Sequence, residues 1–97
     1  EGITTTFTVC ALVRTREGRV YAVDNLDPVS GAMVMSRGIV GSRGDVDVLI
    51  SPMHKQAYDL ATGRCLDLPE LWLGTHDVRV VGGDVEVALR TEERLLA

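Results

Sequence analysis

A carboxylate at Asp27, a hydroxyl at Ser51 and an imidazole at His54 are the reactive side chains this chain sets around prolines, in Asp27-Pro28 and in Ser51-Pro52-Met53-His54. Three chemistries can be asked of such a set. Metal ligation is poorly served, because a catalytic zinc or iron site uses three strong protein ligands, and one imidazole with one carboxylate and one hydroxyl falls short. Nucleophilic attack has no support either: Ser51 lacks a G-x-S-x-G elbow and has no identifiable base beside it. Asp27 is expected to close its loop by accepting backbone N–H bonds ahead of Pro28, as Asx turns do, rather than to act as a general base. His76 starts the Asp77 strand with no partner motif in view and is expected to be a surface or half-buried structural histidine. Cys10 and Cys65 are too few for a disulfide scaffold and lack zinc-site spacing. Nothing beside Cys65 but the adjacent Arg64 marks a reactive thiol, so both cysteines read as reduced structural thiols of a cytosolic protein.

The elements that must hold these residues are short. The 97 residues, 45% hydrophobic and 25% charged, form one domain over 1–97 with a single modest core. A net charge of -4 gives no general reason to expect nucleic acid. No apolar run approaches the roughly 18 residues that span a bilayer, and Glu1-Gly2-Ile3-Thr4-Thr5-Thr6 has neither the basic nor the apolar part of a secretory signal. Thr6 to Arg14 reads as one strand, ended by the turn at Glu17-Gly18, with Val20 to Asp24 returning. Gly38–Gly41 and Val46–Ile50 form a second pair around Ser42-Arg43-Gly44-Asp45, and Gln56–Leu60 a further strand. Asp77–Val81 and Val85–Leu89 alternate with period two around Gly82-Gly83, a hairpin rather than a nucleotide-binding fingerprint, since no helix follows. Residues 91–97 are expected as a helical turn or a frayed tail. The sum is a small all-β antiparallel sandwich or barrel.

Two loops interrupt this pattern, and they carry a family resemblance. Asn25-Leu26-Asp27-Pro28-Val29-Ser30-Gly31-Ala32 and Ser51-Pro52-Met53-His54-Lys55-Gln56-Ala57-Tyr58-Asp59-Leu60-Ala61-Thr62-Gly63 resemble the cluster-binding loops of Rieske-type [2Fe–2S] domains, which read roughly C-P-H-x-G-A and C-P-x-H-x-x-x-[FY]-D-L-x-T-G. At the four ligand positions of that pattern stand Asp27, Val29, Ser51 and His54, so the resemblance implies a Rieske-like fold with two former cluster-binding loops and no metal. Together with Val20–Asn25, Ser36-Arg37-Gly38 and Lys55-Gln56, these residues are similar to the small subunit of bacterial NAD(P)H-dependent assimilatory nitrite reductase. The N-terminal strand is shorter than that family's usual one, and Val29 is smaller than its frequent aromatic residue.

The resemblance implies a non-catalytic accessory subunit with no cofactor of its own. Its partner would be the nitrite reductase large subunit, the expected seat of FAD, an iron–sulfur cluster and siroheme in reducing nitrite to ammonia; neither nucleic acid nor membrane is expected. The alternative is a free-standing cluster-less Rieske-like binding or regulatory module of another oxidoreductase. An electron carrier with an unusual cluster is disfavoured by the missing thiolates. The surface expected to meet the partner is the loop tip. There Val29, Met33, Met35, Pro52 and Met53 supply apolar groups, flanked by Arg37, His54, Lys55 and Arg64. Met33 and Met35 can equally fill the space beneath the loops.

Overall fold

The computed structural model describes residues 3–6, as backbone, and 10–88. Among these residues eight strands carry the fold: β1 Ile3–Thr6, β2 Cys10–Arg14, β3 Val20–Asp24, β4 Ile39–Arg43, β5 Val46–Ile50, β6 Ala57–Asp59, β7 Thr75–Val81 and β8 Asp84–Ala88. They form a five-stranded sheet in the order β1-β2-β3-β7-β8 and a three-stranded sheet in the order β4-β5-β6. Every strand pairing is antiparallel, as the sequence predicts. A 3-10 turn at Met35–Arg37 lies between β3 and β4.

The single strand expected over Thr6 to Arg14 is instead a pair. β1 runs against β2 from Ile3↔Arg14 to Thr6↔Ala11, so the edge that the sequence pattern leaves short is occupied. Thr4-Thr5-Thr6 is β-branched throughout and suits a pleated edge. The tail expected over 91–97, and Leu89 of the last hairpin, lie outside the described residues.

Alternation within the strands sorts side chains onto two inner faces. Ala11 and Val13 of β2, Val23 of β3, Val40 of β4, Leu49 of β5 and Tyr58 of β6 meet Met35, Leu60, Cys65 and Leu73 in one core. Gly63 is required by this packing: its φ is +85°, and a Cβ there would lie 1.9 Å from the Leu73 carbonyl oxygen. The two sheets are also tied by charge. Asp47 of β5 accepts hydrogen bonds from Arg19 Nε at 2.7 Å and Nη2 at 3.1 Å, and from the Tyr21 hydroxyl at 2.8 Å. The bonded guanidinium is the main reason the Asp47 carboxyl sits below the usual carboxylate range.

Among the described residues Tyr58 is the largest fully buried side chain, and its hydroxyl meets no hydrogen-bonding partner there. Burial, followed by the nearby Cys65, Asp27 and Asp67, pushes its pKa up to about 12. An unmatched buried hydroxyl costs roughly 1–3 kcal/mol of desolvation. Tyr58→Phe keeps the ring in the core and removes that cost, so thermal unfolding should show a midpoint equal to or above that of the wild type. A clear drop would mean the hydroxyl is engaged in solution.

Candidate functional site

β3 and β5 both run toward one end of the fold, where residues 25–38 and 51–56 connect them to β4 and β6. The first loop is organised by Asn25. Its backbone carbonyl accepts the Met35 N–H at 3.0 Å, its Oδ1 accepts the Ser36 N–H at 2.7 Å, and Leu26 bridges Met33 across the loop. The apex closes with Asp27 N–H to Ala32 O at 2.8 Å and Gly31 N–H to Asp27 O at 2.9 Å, Gly31 taking the positive φ the turn needs. The second loop closes with Ser51 N–H to Gln56 O at 2.9 Å and Lys55 N–H to Ser51 O at 3.1 Å. Lys55 itself adopts φ 64°, a left-handed conformation that non-glycine residues seldom take.

The loops are joined at their centres. Ser51 Oγ donates to Asp27 Oδ2 at 2.6 Å, and both residues are 0% exposed. Asp27 Oδ1 accepts the Val29 N–H at 2.8 Å and the Ser30 N–H at 3.4 Å, while Ser51 Oγ accepts the Met53 N–H at 3.1 Å. Burial pushes the Asp27 carboxyl up, but the bonds from Ser51, Val29 and Ser30 outweigh it and hold the group below its ordinary value. Asp27 is thus the loop-closing residue that the Asx pattern predicts, and it closes a second loop as well. The serine proton already points at a weakly basic carboxylate, and no solvent-exposed surface lets a substrate reach it.

Around this buried pair the surface is apolar and basic. Val29 is 41% exposed, Met33 47% and Met53 53%, and Leu26 joins them through its bridge to Met33. His54, Lys55 and Arg37 are exposed as well, whereas Met35 is fully buried in the core. The balance left open between Met33 and Met35 is settled: one faces out and the other fills the space beneath the loops. Leu26 was not singled out by sequence reasoning, although an apolar residue inside a polar Asn-x-Asp turn with no core position to fill is a readable sign.

Two other expectations are corrected. Arg64 does not flank the tip. β6 runs away from the loops, and Arg64 follows the turn at its far end, where its guanidinium lies 5.7 Å from the Trp72 ring centroid. His76, expected at the surface or half-buried, is buried at 5% exposure, and its Nε2 lies 2.7 Å from Asp24 Oδ1, because β7 pairs with β3 and brings the two together. Cys10 and Cys65 are both free and buried. Burial, with Asp24 adding to it, raises the Cys10 pKa, which suits an unreactive thiol.

The fold implies a cluster that these residues do not fit. A [2Fe–2S] centre of Rieske type needs two thiolates and two imidazoles. The corresponding side chains are Asp27, Val29, Ser51 and His54, and the first and third are spent on each other across 2.6 Å. Among the described residues no group of three or more His, Cys, Asp or Glu side chains is placed to hold a metal ion. No helix among them is long and apolar enough to cross a membrane.

Residues 5–88 match the family of Rieske-like [2Fe-2S] domains. A crystal structure of an NADH-dependent nitrite reductase small subunit from Mycobacterium tuberculosis superposes with a TM-score of 0.79 at 42% identity, covering 89% of this chain and 80% of that one. The NADH nitrite reductase small subunit of Salmonella typhimurium is 32% identical over 69 residues, 71% of this chain and 64% of that protein. The NAD(P)H nitrite reductase large subunit of Klebsiella oxytoca is 42% identical over 79 residues, 81% of this chain and 8% of that protein. The chain therefore spans somewhat under two thirds of the Salmonella small subunit and a small part of the Klebsiella polypeptide.

Proposed function

The chain belongs to the Rieske-like [2Fe-2S] domain family, among the small subunits of nitrite reductase, and from that membership we propose that it is a non-catalytic, cofactor-free subunit that docks on the large subunit of an NAD(P)H-dependent nitrite reductase through its loop tip. The observation that carries the reading is the Asp27–Ser51 bond. It fixes the shape of two loops whose cluster chemistry is absent, while Val29, Met33 and Met53 remain turned outward. Surface loops vary freely unless something reads them, and methionines on an exposed face adapt to an irregular partner. The Klebsiella large subunit supports the same partner, since it carries within one polypeptide a stretch 42% identical to this chain.

Co-expression of the tagged chain with the large subunit from the same organism tests this. The two are expected to purify as a stable complex. The chain purified alone without air exposure is expected to be colourless and free of stoichiometric iron and acid-labile sulfide. Failure to co-purify would overturn the subunit assignment in favour of a free-standing module. Two irons per chain would overturn the cofactor-free reading.

A further inference from the structure

We propose that the tip is a charge-reading surface, and that the large subunit presents to it an apolar recess ringed by carboxylates; this rests on the docking reading above. The chain has 14 acidic residues against 10 basic ones, yet residues 25–37 and 51–56 hold only one carboxylate, Asp27, and it is 0% exposed. The exposed ionisable groups of the same segments are Arg37, His54 and Lys55. The carboxylates just beyond the loops are held in place: Asp24 by His76, and Asp67 by the Ala57 N–H at 2.8 Å and by Arg43 at 3.0 Å. An acidic protein thus carries, at one end, a surface of Leu26, Val29, Met33 and Met53 whose exposed charge is cationic.

That distribution identifies the partner by complementarity. A neutral recess would gain nothing from a rim cleared of acids, and a basic one would be repelled by Lys55 and Arg37. Carboxylates around an apolar floor satisfy both parts. Opposite charge at a rim acts mainly on encounter rate and register, and salt screens it.

Ser30 offers a matched test because it is exposed at the apex of the first loop. Its Oγ accepts the Ala32 N–H at 3.2 Å and its hydroxyl also bonds Asp27, contacts that Ser30→Lys and Ser30→Glu both lose. Affinity for the purified large subunit is measured at low and high sodium chloride for wild type, both Ser30 variants, Lys55→Glu, and Asp84→Lys as a control on the distant β7–β8 turn. Each variant is checked for folding by its melting curve. Wild-type affinity is expected to fall roughly tenfold between about 50 and 300 mM salt, Ser30→Glu to bind at least about tenfold more weakly than Ser30→Lys at low salt, and Lys55→Glu to follow Ser30→Glu. Asp84→Lys should match wild type. If wild type binds but salt has no effect and the Ser30 pair is equal, the acidic ring is wrong and docking stands. If wild type does not bind at all, both readings fall.

Discussion

Asp27→Ala is expected to melt far below wild type. The substitution strips the acceptor from the Ser51 hydroxyl, which has no solvent access, and from the part-buried Val29 and Ser30 N–H groups. Stranded buried donors cost roughly 1–3 kcal/mol each, so a loss of about 3 kcal/mol is the central expectation. For a domain of this size that lowers the midpoint by roughly 12–24 °C. Asp27→Asn keeps one acceptor for Val29 and should lose roughly half as much. The carboxyl is also a source of acid sensitivity. Its folded-state pKa is depressed, so its contribution is complete above the ordinary aspartate value of about 3.9 and is lost as pH falls through the lower folded value. Asp47 and Asp67 are depressed too and add to the same acid limb. Melting curves between pH 2 and 7 should therefore be flatter for Asp27→Asn than for wild type. An Asp27→Ala protein that melts within a couple of degrees of wild type would falsify the view that this carboxylate locks the loops.

A charge placed on the apolar part of the tip should do the opposite: spare the fold and abolish the partnership. Met53 is 53% exposed and Val29 41%, so Met53→Glu or Val29→Asp leaves the core between the sheets untouched. In the docked state each new carboxylate would sit unpaired in a desolvated contact, and a partner edged with acids adds repulsion. The cost is roughly 2–5 kcal/mol of binding, or about 30-fold to several thousandfold in Kd. The isolated domain should melt within a few degrees of wild type. Both quantities need measuring on the same preparations. Variants that fold and bind as tightly as wild type would move the interface away from the tip, to the sheet faces or to the β7–β8 hairpin.

What could be read from the sequence divides by distance along the chain. The Asx-turn role of Asp27 was legible because its Val29 and Ser30 partners are two and three residues away. The Ser51 bond spans 24 positions, Arg19–Asp47 spans 28, and His76–Asp24 spans 52. None of these leaves a local signature, since each exists only after the strands have chosen neighbours. The hairpins around Gly44 and Gly82-Gly83 were legible from alternation and turn residues. The pairing of β7 with β3, which gives His76 its partner, was not. The exposed tip was half legible. Val29 and Met53 stood out as apolar residues in loops, but the division of labour between Met33 and Met35 depended on the 3-10 turn that swings Met35 inward.

The β7–β8 hairpin has a practical consequence. Among the described residues β7 pairs with β3 only through His76 and Thr75, so from Asp77 to Val81 its sole ladder partner there is β8. Because β7 runs antiparallel to β3, which leads into the loops, its turn at Gly82-Gly83 lies at the opposite end of the fold from Asp27 and Ser51. Both glycines have positive φ and nothing within 4 Å of where a Cβ would stand. Lengthening such a turn costs little, since closure entropy grows only with the logarithm of loop length, and exposed tips of this kind accept inserted sequence. This makes Gly82–Gly83 a natural splice point for a fluorophore-binding tag or a small reporter domain, carrying a label on the protein while the proposed docking surface stays bare.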